Sequence, residues 1–83
     1  MIRRIKVTAE HIAKGRRGSP WECPIALACK EQITARIEVA LNGIRVGDEF
    51  VYLGLSHIEK VQRFDADHPR KLEPFEFELD TLA

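Results

Sequence analysis

Apolar and polar positions alternate most cleanly in the middle of the chain. There Ile33, Ala35, Ile37, Val39 and Leu41 interleave with Thr34, Arg36, Glu38 and Ala40. A period of two predicts a strand with one face in the core. Asn42-Gly43 follows at once, and both residues tolerate the positive φ of a type I′ hairpin turn. That turn would set Leu41 opposite Ile44 and Val39 opposite Val46. The return strand is broken at Gly47-Asp48, which fits a bulge and a second tight turn equally well, before Phe50 to Leu53 resume the pairing. Two further strands are expected at the ends. Ile2 to Val7 mixes β-branched and basic residues, and Pro74 to Leu79 alternates with an aromatic face.

Between these strands the period lengthens. Thr8 is a good N-cap, with Val7 and Ile12 at the positions of a hydrophobic staple, and Gly15 is placed to end a short helix in the left-handed conformation. His11 falls on that helix and is expected to be solvated. The densest apolar run, Cys23-Pro24-Ile25-Ala26-Leu27-Ala28-Cys29, predicts a helix starting at Pro24. Proline suits the first helical position, and Cys23 then stands at the cap. Ser19 and Glu22 have the spacing of a capping box for a preliminary turn. Ser56 and Glu59 repeat that spacing before a helix through about Phe64, with Ile58, Val61 and Phe64 on its buried face. The stretch from Asp65 to Lys71, with Pro69, reads as a loop.

These elements make one α+β domain in the order β-α-α-β-β-α-β, with an antiparallel sheet and three short helices mainly on one face. The expected core is Ile5, Ile12, Ile25, Leu27, Ala28, Ile37, Val39, Leu41, Ile58, Val61, Phe64, Phe75, Phe77 and Leu79.

Eighty-three residues lie near the lower limit for one self-sufficient core, so a homo-oligomer is expected. Phe50, Val51, Tyr52 and Leu53 strengthen that expectation, because they alternate sides and both faces of their strand want cover. With 45% hydrophobic and 31% charged residues the composition is that of a folded protein, and zero net charge removes the electrostatic case for binding DNA or RNA. The charge is unevenly placed. Residues 1–20 carry six basic side chains against Glu10 alone, and residues 65–83 carry six acidic ones against Arg70 and Lys71. The two ends are therefore candidates to neighbour and compensate each other, leaving the acidic carboxy-terminal face as the other use for that charge.

On a helix Cys23 and Cys29 would be separated by a rise of ~9 Å and lie on different faces. That exceeds the roughly 7 Å limit for a disulfide, so free thiols in a reducing, cytoplasmic setting are expected. No signal-peptide run and no membrane-length apolar segment is present in the sequence.

With "VTAEHIAKG", "CPIALA" and "RFDAD…EPFEFEL" in this order, the chain resembles a group of small, mostly uncharacterised bacteriophage and prophage proteins. The resemblance carries no established activity. It implies a setting inside a host cell, in which counter-defence is a natural role, either by sequestering a signalling nucleotide or by blocking a host protein.

Candidate chemistry gathers before the helix at Pro24. Arg16 and Arg17 could fork onto phosphate oxygens, Ser19 adds a hydroxyl, Trp21 offers a surface for a base, and the amides near Cys23 sit at the positive end of a helix. These five residues are the expected site for a small anionic ligand, a nucleotide signal in particular. The plainer reading leaves both arginines solvated and Trp21 as a lid on the core. Cys23 could also be an activated nucleophile, but no histidine stands at a pairing distance in sequence, so an enzyme ranks third, behind a protein–protein inhibitor. No cofactor fingerprint and no zinc-ligand spacing among Cys23, Cys29, His11, His57 and His68 is present, so neither cofactor nor metal is expected.

Overall fold

The computed structural model describes residues 1–65 and 72–82, and the loop expected up to Lys71 lies largely outside them. The elements run β1 (Ile2–Val7), α1 (Ala9–Lys14), α2 (Pro24–Gln32), β2 (Ile37–Ala40), β3 (Gly43–Val46), β4 (Glu49–Tyr52), α3 (Leu55–Asp65) and β5 (Phe75–Asp80). The fold is the expected small α+β domain, but its strands form two antiparallel sheets instead of one: β1 with β5, and β2-β3-β4. Gly47-Asp48 is the reason for the extra strand. It is a two-residue turn joining Val46 to its partner Glu49, and Gly47 at the first central position has φ +61. A positive φ there matches the twist of the strands it connects.

The first hairpin turns one residue earlier than Asn42-Gly43 suggests. Ala40 pairs with Gly43, Val39 with Ile44 and Ile37 with Val46, so Leu41 and Asn42 form the turn. Relative to the expected register the ladder is displaced by two residues, which keeps Ile37 and Val39 facing inward but takes Leu41 out of the core. Leu41 is 50% exposed. Gly43 serves β3 and not the turn: a Cβ there would collide with the Val51 carbonyl oxygen and the Phe50 ring.

The strand expected to open at Ile33 opens at Ile37, because α2 continues to Gln32. Ile33 takes an extended conformation as its C-cap, and its N–H donates to the Cys29 carbonyl at 2.9 Å. Cys23 caps the other end as expected, its sulfur accepting from the Ala26 N–H at 3.5 Å. At the end of α1, Gly15 is extended, with φ −66 and ψ 151, and not left-handed. Glycine is required there because a Cβ would lie 2.6 Å from Cδ of Pro24, so α1 could not exit against the start of α2. α3 begins at Leu55 and not at a Ser56 cap, since the Gly54 carbonyl accepts from the N–H groups of His57 and Ile58.

One core joins both sheets to α2. Ile5, Val7 and Leu79 of the first sheet meet Ile25, Ala26, Ala28 and Cys29 of α2 and Ile37, Val39, Ile44 and Val46 of the second sheet. Ile12, Val61, Phe75 and Phe77 pack on its margin, partly buried. His11, expected in solvent, is buried. The Thr8 N–H donates to its Nδ1 at 3.0 Å, so the ring proton sits on Nε2, which donates to Glu31 at 2.6 Å. Histidine thus takes the place of glutamate in a capping box and ties α1 to α2.

Candidate functional site

The segment from Gly15 to Cys23 is held by its own backbone. The Arg16 N–H donates to the Glu22 carbonyl at 2.9 Å, the Cys23 N–H to the Ser19 carbonyl at 3.1 Å, and the Glu22 N–H to Ser19 Oγ at 3.0 Å. Gly18, with φ +73, makes the reversal that closes this ring. The Val39 N–H donates to the Pro20 carbonyl at 2.8 Å, which fastens the loop to the outer edge of β2. A loop pinned at both ends and across a strand presents its side chains from a rigid base.

Facing this loop, α3 encloses a groove of about 330 Å3. One wall is Gly18, Ser19 and Pro20 with the first turn of α2 at Cys23 and Ile25. The other is Lys60, Val61 and Phe64 of α3, with Val39 and Leu41 at the β2 end and Leu72 beyond. A second cavity of about 370 Å3 shares Phe64 and Leu72 with the first, and there Arg17 faces Ala9, Ile12 and Ala13 of α1. The two form an apolar trough with one basic residue on each branch. The volume is that of a small-molecule site, and apolar lining with few polar groups is the usual composition.

Of the five residues expected to act together, three line this trough and Arg16 and Trp21 do not. Ser19 and Cys23 line the first branch and Arg17 the second. Arg16 pairs with the Glu22 carboxylate at 3.1 Å. Trp21 lines a separate shallow depression with Lys30, Ile33 and Ile37, and its carbonyl accepts from the Lys30 ammonium. The helix terminus itself is largely satisfied. Pro24 has no N–H, that of Ala26 goes to the Cys23 sulfur, and that of Leu27 goes to the Cys23 carbonyl at 3.0 Å. Ile25 alone among these residues keeps its amide for another acceptor. The attraction of this terminus for an anion is correspondingly small.

The trough also uses residues that sequence reasoning assigned only to the core or passed over. Phe64 is the buried floor of both branches, and Lys60 sends its stem along one wall while its ammonium rests 4.8 Å from the centre of the Phe75 ring and 3.4 Å from Ser56 Oγ. Lys60 and Ser56 are one helical turn apart, so their pairing was readable from spacing. The approach of α3 to the loop, forty residues away, was not. His57, weighed in the sequence only as a metal ligand, is buried and donates from Nε2 to the Ala40 carbonyl at 2.9 Å, securing α3 to the hairpin. Burial holds its pKa below the usual 6.5, opposed by its bonds to the backbone of Ala40 and Gly43.

Both cysteines are free and buried. Burial, assisted by the neighbouring Cys23, pushes the Cys29 thiol up to about 12, so it remains protonated and packs as a small apolar group. Among the described residues no three His, Cys, Asp or Glu side chains are grouped to hold a metal ion, and no helix is long and apolar enough to cross a membrane. Comparison with known proteins finds no matching family model, curated protein or solved structure.

Proposed function

We propose that the protein is a non-enzymatic binding protein that takes up a small molecule with an apolar body and an anionic end. The observation that carries this reading is the trough between the Gly18–Cys23 loop and α3, which is apolar along its length and has Arg17 on one branch and Lys60 on the other. An apolar body would displace water from Val61, Phe64 and Leu72, and the anion would draw the flexible Lys60 ammonium off Phe75 or engage Arg17. A nucleotide remains within this class. Its base would have to lie against the aliphatic walls, since Trp21 lines another depression. In the host-cell setting implied by the phage resemblance, such binding would act by sequestration. The rival reading is inhibition of a host protein through an exposed sheet edge or the acidic carboxy-terminal face. The second of these surfaces is used within the chain, because β5 turns that charge on β1, where Glu76 pairs with Arg4 at 3.4 Å and with Lys6 at 3.7 Å, so the rival rests on a sheet edge.

Thermal denaturation with a panel of cyclic and linear nucleotides and of aliphatic and aromatic carboxylates tests the proposal. Ligand at 100-fold its dissociation constant adds ~2.7 kcal/mol, several degrees for a domain of this size. Denaturing the complex should return the ligand unchanged, whereas an altered ligand would mean catalysis. Arg17→Ala combined with Lys60→Ala should remove the shift while the protein stays folded. Binding that survives this pair but is lost in Arg16→Ala or Trp21→Ala would move the site to the outer side of the loop.

A further inference from the structure

The two edges of the three-stranded sheet differ, and hydrogen-bond phase shows how. In the β3-β4 hairpin the two-residue turn makes Val46 and Glu49 a bonded pair, and Ile44 with Val51 the next. The Leu53 N–H, donating to the Asn42 carbonyl at 2.9 Å, continues the same phase. Phe50 and Tyr52 therefore point their N–H and C=O groups away from β3. The same reasoning turns Val39 of β2 outward, and there the Pro20 carbonyl receives its N–H. One edge is thus covered by the chain's own loop, whereas the outward groups of Phe50 and Tyr52 have no partner among the described residues. β4 has no proline, bulge or lysine within Glu49–Tyr52, and its protection is confined to its four-residue length and the charge of Glu49 at one end.

We propose that this edge pairs with β4 of a second copy, antiparallel and centred on Val51. The argument for a second copy is self-complementarity. About that axis Phe50 lies opposite the partner's Tyr52, and Tyr52 opposite the partner's Phe50, so each outward N–H and C=O meets its counterpart in an isologous contact. Phe50 and Tyr52 already touch edge to face, with ring centres 4.7 Å apart, and Tyr52 is 75% exposed. The pairing sets each ring beside a ring of the other copy, in the cross-strand arrangement that stabilises sheets.

Charge selects the same geometry. Glu49 comes to lie opposite the uncharged Leu53 of the partner subunit, whereas a parallel in-register pair would stack Asp48 on Asp48 and Glu49 on Glu49. Zero net charge leaves no overall repulsion between copies. The interface doubles the sheet and is independent of the trough residues, so it stands or falls apart from the proposed ligand.

Light scattering of the wild type across a concentration series should approach twice the 9.5 kDa chain mass. Tyr52→Lys, which places a charge at the centre of the contact without touching the β3 ladder, should give the mass of one chain with an unchanged circular dichroism spectrum. Val51→Cys tests the register without weakening the edge. Two copies of residue 51 would face each other in a non-bonded pair about 4.5 Å apart at Cα, close enough for a disulfide. Mild oxidation should join Val51→Cys chains and leave both wild type and Asn42→Cys unjoined. A wild type that remains one chain at millimolar concentration overturns the proposal, including the case in which the edge receives a strand from another protein. A dimer that persists in folded Tyr52→Lys, or a dimeric Val51→Cys that does not cross-link, assigns the contact to another surface and overturns it as well.

Discussion

The β1-β5 ribbon and the β2-β3-β4 sheet bury comparable inner faces but finish their outer faces differently. On the ribbon the outward rows are Arg4 and Lys6 on one strand and Glu76 and Glu78 on the other, and the register sets Arg4 opposite Glu78 and Lys6 opposite Glu76. Opposite charges face each other, and the solvent side is complete in itself. On the second sheet the outward rows are Glu38, Arg45 and Phe50, then Ala40, Gly43 and Tyr52. Arg45 lies over the Phe50 ring at 5.6 Å and reaches Glu38 only at 3.9 Å, while Tyr52 stands in the open. A sheet whose outer side carries matched charges needs nothing further, whereas one with aromatic rings along a free edge is shaped for contact. The charge of the two chain ends is used where β1 and β5 meet, and the aromatic edge of the second sheet is where an interaction surface should be sought.

The largest effects should come from the inner faces, where the two sheets are equivalent. Leu79 of the ribbon and Ile44 of the other sheet are both fully buried. Leu79→Ala and Ile44→Ala should each cost ~2–5 kcal/mol, and equilibrium denaturation in urea measures both. Similar losses from the two sites would show one cooperative core. A far smaller loss from Leu79→Ala would mean that the ribbon opens independently of the rest.

Gly43→Ala comes next and touches the second sheet alone. The added methyl would meet the Val51 carbonyl oxygen and the Phe50 ring. Overpacking of this kind costs ~1–3 kcal/mol, and here it should also push Phe50 away from Tyr52. Gly47→Ala, with open space around it but φ +61, should be milder and leave the rings in place.

Gly43 also marks the limit of what the sequence could convey. Asn-Gly is a strong turn signal on local grounds, but this glycine is needed where a central strand passes under an aromatic ring, a requirement set by β4. Local chemistry sufficed where the cause is local: the Thr8 cap, the Cys23-Pro24 start of α2, and the alternation in β1 and β5 all stand as expected. It failed where a distant segment supplies the reason. His11 is buried because Glu31 of α2 reaches it, Gly15 is extended because Pro24 packs against it, and Leu41 leaves the core because the turn begins at it. The candidate site divides the same way. Arg17, Ser19 and Cys23 face the trough, but its far wall belongs to α3, and no spacing along the chain places Lys60 and Phe64 against that loop.

Acid should act on the joints between these parts. Burial lowers the His57 pKa, so its neutral form is favoured in the folded state. Stability from this group is intact above the unfolded value near 6.5, is lost as pH falls from there through the lowered folded value, and changes no further below it. A His57→Gln variant should flatten that limb of the pH–stability curve. Glu49 acts lower. Thr81 Oγ1 donates to its carboxylate at 2.7 Å and the Leu82 N–H at 3.0 Å, joining β4 to the end of β5, and these bonds hold its pKa below the usual 4.5. Its contribution is present above 4.5 and disappears as pH falls through the lowered value. Glu49→Gln should remove only this second limb.

The smallest effect distinguishes the outer faces most directly. Glu76 is the acceptor shared by Arg4 and Lys6, and all three side chains are well exposed. Exposed pairs contribute ~0–1 kcal/mol because water and counterions screen them, so Glu76→Gln should destabilise by less than ~1 kcal/mol in low salt. In 1 M salt, where the Debye length falls to about 3 Å, the variant and wild type should converge. Phe50→Ala on the other sheet removes apolar contact and not charge, and salt should leave its cost in place or raise it. The difference between the two salt series is the quantity of interest. If Glu76→Gln keeps its full cost in high salt, the ribbon's outer face is held by packing of the long side chains, and the contrast between a charged and an apolar outer face is wrong.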